Sequence, residues 1–106
     1  MEYVNLTKRD IKIYLGQDKY LELPKREDYI GYSFNESTNV NEDGIMVTKR
    51  EYIFKNIPPE QTDTIYIVDV IVKRHYLNRL DFYVTNNSVY DKDGNYLYDN
   101  GIRFDN

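Results

Sequence analysis

Apolar and polar positions alternate along this chain in short runs bounded by turn residues, which is the two-residue period of half-buried strands. Residues 3–7 make a first strand, and Lys8-Arg9-Asp10 is the polar turn after it. Ile11, Ile13 and Leu15 then alternate with Lys12 and Tyr14. Gly16-Gln17-Asp18-Lys19 is a second turn. Residues 20–23 form a strand stopped by Pro24, which has no N–H to give to a ladder. In residues 29–34, Ile30, Tyr32 and Phe34 share one side. A long strand over 45–54 ends before Ile57-Pro58-Pro59, a rigid crossing. These two strands are expected to pair as a hairpin. Between them, residues 35–44 are the most polar stretch and are expected to form a mobile loop or hairpin tip.

Ile65-Tyr66-Ile67-Val68 is the most apolar run and the expected central strand. Val70-Ile71-Val72 either extends it or begins a helix. The helix is favoured, with Asp69 as N-cap, an end near Leu77, and Val72, Tyr76 and Leu80 on one face. Residues 81–85 are a strand. Val89-Tyr90, then Asp91-Lys92-Asp93-Gly94, then residues 95–98 read as a β-hairpin whose Gly supplies the positive φ of the turn. Residues 102–104 close the sheet edge. The expected fold is α+β: mainly antiparallel β-sheet or a small barrel with one short helix, in a single domain over residues 1–106.

Composition supports this. Twelve tyrosines and eleven asparagines stand beside no alanine, the best helix former. A chain of 106 residues fits one domain. With no cysteine, disulfide scaffolds, zinc ribbons and thiol nucleophiles are excluded, and a reducing, cytoplasmic setting is expected. There is no apolar run long enough to span a membrane and no signal-peptide pattern at the start. The net charge of −4, with acids and bases interleaved, argues against direct nucleic-acid binding, which uses a basic stripe.

Catalytic chemistry finds few footholds. His75 is the single histidine, and no hydroxyl stands in a nucleophile-elbow pattern that it would serve, so a surface place on a basic helix is expected. Asp91-Lys92-Asp93-Gly94-Asn95 departs from a calcium loop, with Gly at the fourth position and no later Glu, so turn chemistry explains it. No Gly-rich phosphate loop is present. No metal or cofactor is expected. The tyrosines are expected to fill the core and to leave at least one exposed aromatic patch. Segment 73–81 is the one local basic cluster, holding Lys73, Arg74, His75 and Arg79. Arg79 and Asp81 form either a structural ion pair or the lining of a pocket.

Taken in order, several features resemble a family of small proteins from phages, prophages and bacteria that typically begin Asn-Leu-Thr-Pro-His. They are Asn5-Leu6-Thr7, Ile11-Lys12-Ile13-Tyr14, Ile57-Pro58, Thr64-Ile65-Tyr66-Ile67-Val68, Arg79-Leu80-Asp81 and Asp93-Gly94-Asn95. The resemblance covers about residues 4–104. Lys8-Arg9 replaces the family's Pro-His, and Asp69 stands where the family usually has Ser. The resemblance implies a phage or prophage context and no catalytic mechanism.

The expected function is therefore binding without catalysis, by an accessory protein that inhibits a host defence factor. The candidate contact residues are Asn5, Thr7, Arg74, His75, Tyr76, Arg79, Asp81 and Tyr83. One alternative is a small-molecule binder that sequesters a nucleotide signal, with Arg74 and Arg79 on phosphate and tyrosines on the base. Another is a virion structural or assembly protein. A homo-oligomer is compatible with all three.

Overall fold

The computed structural model describes residues 1–104. It is mostly β, with one short helix, a nearly closed six-stranded barrel-like sheet and a separate two-stranded sheet. The barrel strands are β1 (Glu2–Asn5), β2 (Ile11–Gly16), β3 (Lys19–Leu23), β6 (Thr64–Ile67), β7 (Phe82–Tyr90) and β8 (Tyr96–Arg103). Between β3 and β6, β4 (Gly31–Val40) and β5 (Met46–Lys55) form the two-stranded sheet. Helix α1 (Val70–His75) crosses from β6 to β7. This crossover allows β6 and β7 to run parallel, because parallel neighbours cannot be joined by a tight turn.

The barrel order is β1-β6-β7-β8-β2-β3. Its longest ladder, β7 with β8, is antiparallel; β1–β6 and β6–β7 are parallel, and β2 meets β8 in parallel at Ile13 and Asp99. Strand β6 pairs on both edges and is buried on both faces. Ile67 joins Ile11 and Ile13, with Leu21, Leu23 and Ile102, in one apolar cluster. Tyr66 and the adjoining Val68 join Val4, Leu6, Ile30, Val72, Phe82 and Val84 in the other. The alternation of strand side chains sends successive residues to opposite clusters.

The ends of the sheet, β1 and β3, meet through the side chain of Asn5, which is only 2% exposed. Its Nδ2 donates to the carbonyls of Leu23 and Arg9, both at 2.8 Å. Its Oδ1 accepts the Thr7 N–H at 2.9 Å and the Thr7 hydroxyl at 2.6 Å. One amide group thus joins the first strand to the last and folds the turn after β1.

The helix forms where the sequence places it, and three details differ. Asp69 is extended (φ −69°, ψ 152°) at the N-cap but makes no side-chain cap hydrogen bond; its carbonyl accepts the N–H groups of Val72 and Lys73 instead. The helix stops at His75, so the helical spacing that would align Leu80 with Val72 and Tyr76 has ended, and Leu80 is 71% exposed. Lys73, a member of the basic cluster, is buried, with Nζ donating to the Arg79 carbonyl at 3.2 Å and lying 3.9 Å from the Phe104 ring centroid.

Residues 35–40, expected within a loop or tip, belong to β4, and the turn is confined to residues 41–45. Polar cross-strand pairs hold this ladder. Arg50 lies 3.9 Å from Glu36, and the Thr38 and Thr48 hydroxyls are 3.1 Å apart. The two long hairpins close with the same chemistry. Asn41 Oδ1 accepts the N–H groups of Asp43 and Ile45, and Asp91 Oδ1 accepts those of Asp93 and Asn95. Gly44 and Gly94 take the positive φ that each turn requires, 79° and 84°.

Replacing Asn5 by Ala should lower stability by about 2–4 kcal/mol, because it strands two carbonyls and the Thr7 donors in a buried seam. Urea denaturation monitored by circular dichroism checks this, and a loss within the error of a surface substitution would contradict it.

Candidate functional site

The residues proposed from sequence divide by location. Asn5 and Thr7 are buried in the barrel seam with their polar atoms used internally. They are not available to a partner without breaking the seam.

Arg79 and Asp81 form a clamp. Arg79 Nε and Nη2 each donate to an Asp81 carboxylate oxygen at 2.9 Å, and Nη1 donates to the Pro58 carbonyl at 2.9 Å. The guanidinium lies 4.2 Å from the Phe82 ring centroid. The hydrogen bond from Asp81 raises the Arg79 pKa above its usual range, against the opposing effect of burial. This geometry ties the crossing at Pro58 to the start of β7. It also uses the Arg79 donors that would be needed to hold a phosphate.

His75 and Tyr76 hold the β4–β5 hairpin against the barrel. His75 Nδ1 is 2.8 Å from the Ile71 carbonyl. The imidazole packs 4.8 Å from the Tyr52 ring and 5.2 Å from Phe54. Tyr76 sits edge-on to Phe54 at 5.5 Å and to Phe82 at 6.0 Å. A triad histidine needs a hydroxyl and a carboxylate; the partners of His75 are a backbone oxygen and two rings. Tyr83 packs on Phe104 at 5.3 Å.

Arg74 is the remaining member, and it is exposed on the outer side of α1. Val70, one helical turn earlier, lies on the same side. Leu77 and Leu80 follow in the connection to β7, and all three apolar residues are exposed. Together they make an exposed apolar ridge carrying one cation. Helical spacing, which puts Leu80 on one face with Val72 and Tyr76, gives no sign of this ridge.

A second polar cluster had no sequence signal. Asp99 is completely buried in β8. Its carboxylate accepts hydrogen bonds from the Ser88 hydroxyl and from Tyr96 Oη, the latter at 2.6 Å, and Arg9 Nη1 stands 3.7 Å away. Arg9 Nη2 also donates to Thr85 Oγ1 at 3.1 Å, and Tyr96 Oη accepts the Lys12 N–H at 3.2 Å. Burial, reinforced by Asp99, holds the Tyr96 phenol above its usual range. Arg9 thus links the Asn5 seam to a buried carboxylate.

The tyrosines divide as well. Tyr14, Tyr20 and Tyr98 pack on one another with ring centroids 5.4–5.6 Å apart, and Lys12 Nζ lies 4.3 Å from the Tyr20 ring. Tyr3 and Tyr90 are exposed. Among the described residues no three His, Cys, Asp or Glu side chains are grouped to hold a metal ion, and no helix is long and apolar enough to cross a membrane.

Two outcomes follow from these contacts. Arg79→Lys should cost about 1–3 kcal/mol in urea denaturation, because an ammonium cannot reproduce a fork that holds a carboxylate and a carbonyl at once. Burial raises the Asp69 pKa, only partly offset by Arg9 and Lys8. A folded pKa above the unfolded one means that the native state binds the proton more tightly. The associated stability is complete below the ordinary Asp pKa of about 4 and is lost as pH rises through the raised value. Asp69→Asn should therefore raise the melting temperature at neutral pH, with the gain shrinking as pH falls toward about 4. Paired thermal melts at the two pH values check this, and an equal gain at both would refute it. Comparison with family models, with curated proteins and with solved structures returns no match for this chain, so its functional reading rests on its own geometry.

Proposed function

We infer that this protein is a non-catalytic binding module that docks on another protein through the outer ridge of α1 and the connection that follows it. The observation that carries this reading is the exposure of Val70, Arg74, Leu77 and Leu80 together on one short segment. Leaving leucines in water forgoes roughly 1.5–3 kcal/mol for each side chain that burial would stabilise. A partner with an apolar pocket bordered by carboxylates would recover that energy and match Arg74. In the phage context implied by the resemblance, the partner is a host defence factor and the consequence of binding is its inhibition.

The nucleotide-sequestering alternative required Arg79 for phosphate, and that guanidinium is committed to Asp81 and Pro58.

The test pairs host-lysate capture with a functional assay. Cells that carry the targeted defence and express the wild-type chain should regain phage plaques. The Arg74→Glu, Leu77→Ser, Leu80→Ser triple variant should lose that rescue, and recovery of the same partner should fall by about tenfold or more, as expected when interface anchors are removed. Unchanged melting temperatures would show that the variant folds. Equal rescue and recovery by the triple variant would remove the ridge as the site.

A further inference from the structure

The β4–β5 hairpin is an arm. Its strands have ten residues each, a span of about 33 Å, and the molecule measures 59 × 39 × 26 Å. The radius of gyration is 17.1 Å, against about 13 Å for a compact chain of this length. Only the root of the arm meets the body, through Tyr32, Tyr52 and Phe54. Beyond the root, the ladder is two strands wide with both outer edges unpaired among the described residues. An isolated two-stranded ladder is marginal in water, and an open edge is a template for another strand.

The two edges are not equivalent. β5 carries Lys49, Arg50, Glu51 and Lys55, so antiparallel self-pairing centred on residue 49, 50 or 51 places like charges opposite one another. β4 carries one charge, Glu36, and no proline. Centring a two-fold axis on Ser37 keeps Glu36 away from its own mate by placing it opposite Thr38. The same register sets Phe34 opposite Val40, both exposed and on the same face.

That register also brings the turn of one arm to the root of the other. The turn is acidic, with Glu42 and Asp43. At the root, a hollow of about 280 Å³ is lined by Lys8, Tyr29, Tyr32 and Lys55 and by no carboxylate. The acidic tip and basic root are complementary, and two-fold symmetry uses the match twice.

We propose that the arm is a homodimerisation element, in which a second copy of this chain pairs antiparallel along β4 about Ser37 to build a four-stranded sheet, each acidic tip seated at its partner's Lys8–Lys55 hollow. The docking ridge on α1 is a separate surface, so the dimer stands or falls independently of the partner reading.

Sedimentation velocity over a concentration series tests the dimer on the full chain. The wild type should shift from monomer to dimer mass as concentration rises. Ser37→Lys and Ser37→Glu should each weaken self-association at least tenfold, since each sets like charges face to face, and a 1:1 mixture of the two should restore the dimer. A wild type that stays monomeric throughout, dimers indifferent to both variants, or a mixture that fails to associate would each overturn the proposal. Circular dichroism melts verify folding. Should either Ser37 variant unfold, Lys8→Glu with Lys55→Glu decides instead: undiminished association would overturn the proposal, and a tenfold loss would support it.

Discussion

Closure of the barrel rests on one side-chain amide. β1, with four residues, and β3, with five, are the two ends of the sheet order and are not paired to each other as strands. Asn5 supplies two donors and an acceptor oxygen with two lone pairs on one planar group, which suits a junction where two carbonyls and two Thr7 donors converge. An aliphatic residue would fill the space and leave those groups unpartnered. A longer amide would have to surrender more side-chain freedom to make the same bonds. The seam continues through Arg9, whose carbonyl accepts from Asn5 and whose guanidinium reaches Asp99. Sheet closure and the buried carboxylate of β8 are thus parts of one polar network.

The outer face of β1, β6 and β7 is covered by two unrelated elements, the short helix and the root of the arm. They are joined by an aromatic contact in which His75 and Tyr76 meet Tyr52 and Phe54. A six-residue helix is too short to stand by propensity, so burial of Val72 and packing against the sheet hold it. The Arg79–Asp81 fork then pins the end of the crossover to Pro58. This explains why a segment with four basic side chains offers so little free charge. Arg79 and Lys73 point into structure, His75 faces the arm, and Arg74 alone stands with the apolar ridge.

The arm follows a different energetic rule from the barrel. It buries no apolar face of its own past the root, where Val40, Ile45 and Met46 are exposed, and its ladder depends on cross-strand pairs that contribute roughly 0.2–1 kcal/mol each. Such an element persists because its root is anchored and its turn is tightly organised by Asn41 and Gly44. The chain therefore presents two surfaces with distinct chemistry: a compact apolar ridge suited to a pocket, and a long hydrogen-bonding edge suited to another strand.

Much of the architecture was legible in the linear pattern. The period-two alternation of Ile11 and Ile13, the apolar run at β6, the Asp93-Gly94 turn and the helix after Asp69 are local signals, because backbone geometry imposes them within a few residues. The alternation failed over residues 35–40, since a strand solvated on both faces has no apolar period to show. The roles of the candidate residues were legible only in part: an Arg79–Asp81 ion pair was one of two readings of that spacing, and the pair forms. Asn5 and Arg79 are polar and looked available, yet each also holds a carbonyl far along the chain, Leu23 and Pro58 respectively. The sequence by itself determined a β-rich, cysteine-free domain with one short helix and a long hairpin. Only the tertiary structure decided which polar groups face one another and which remain for a partner, because hydrogen-bond satisfaction depends on contacts between residues distant in sequence.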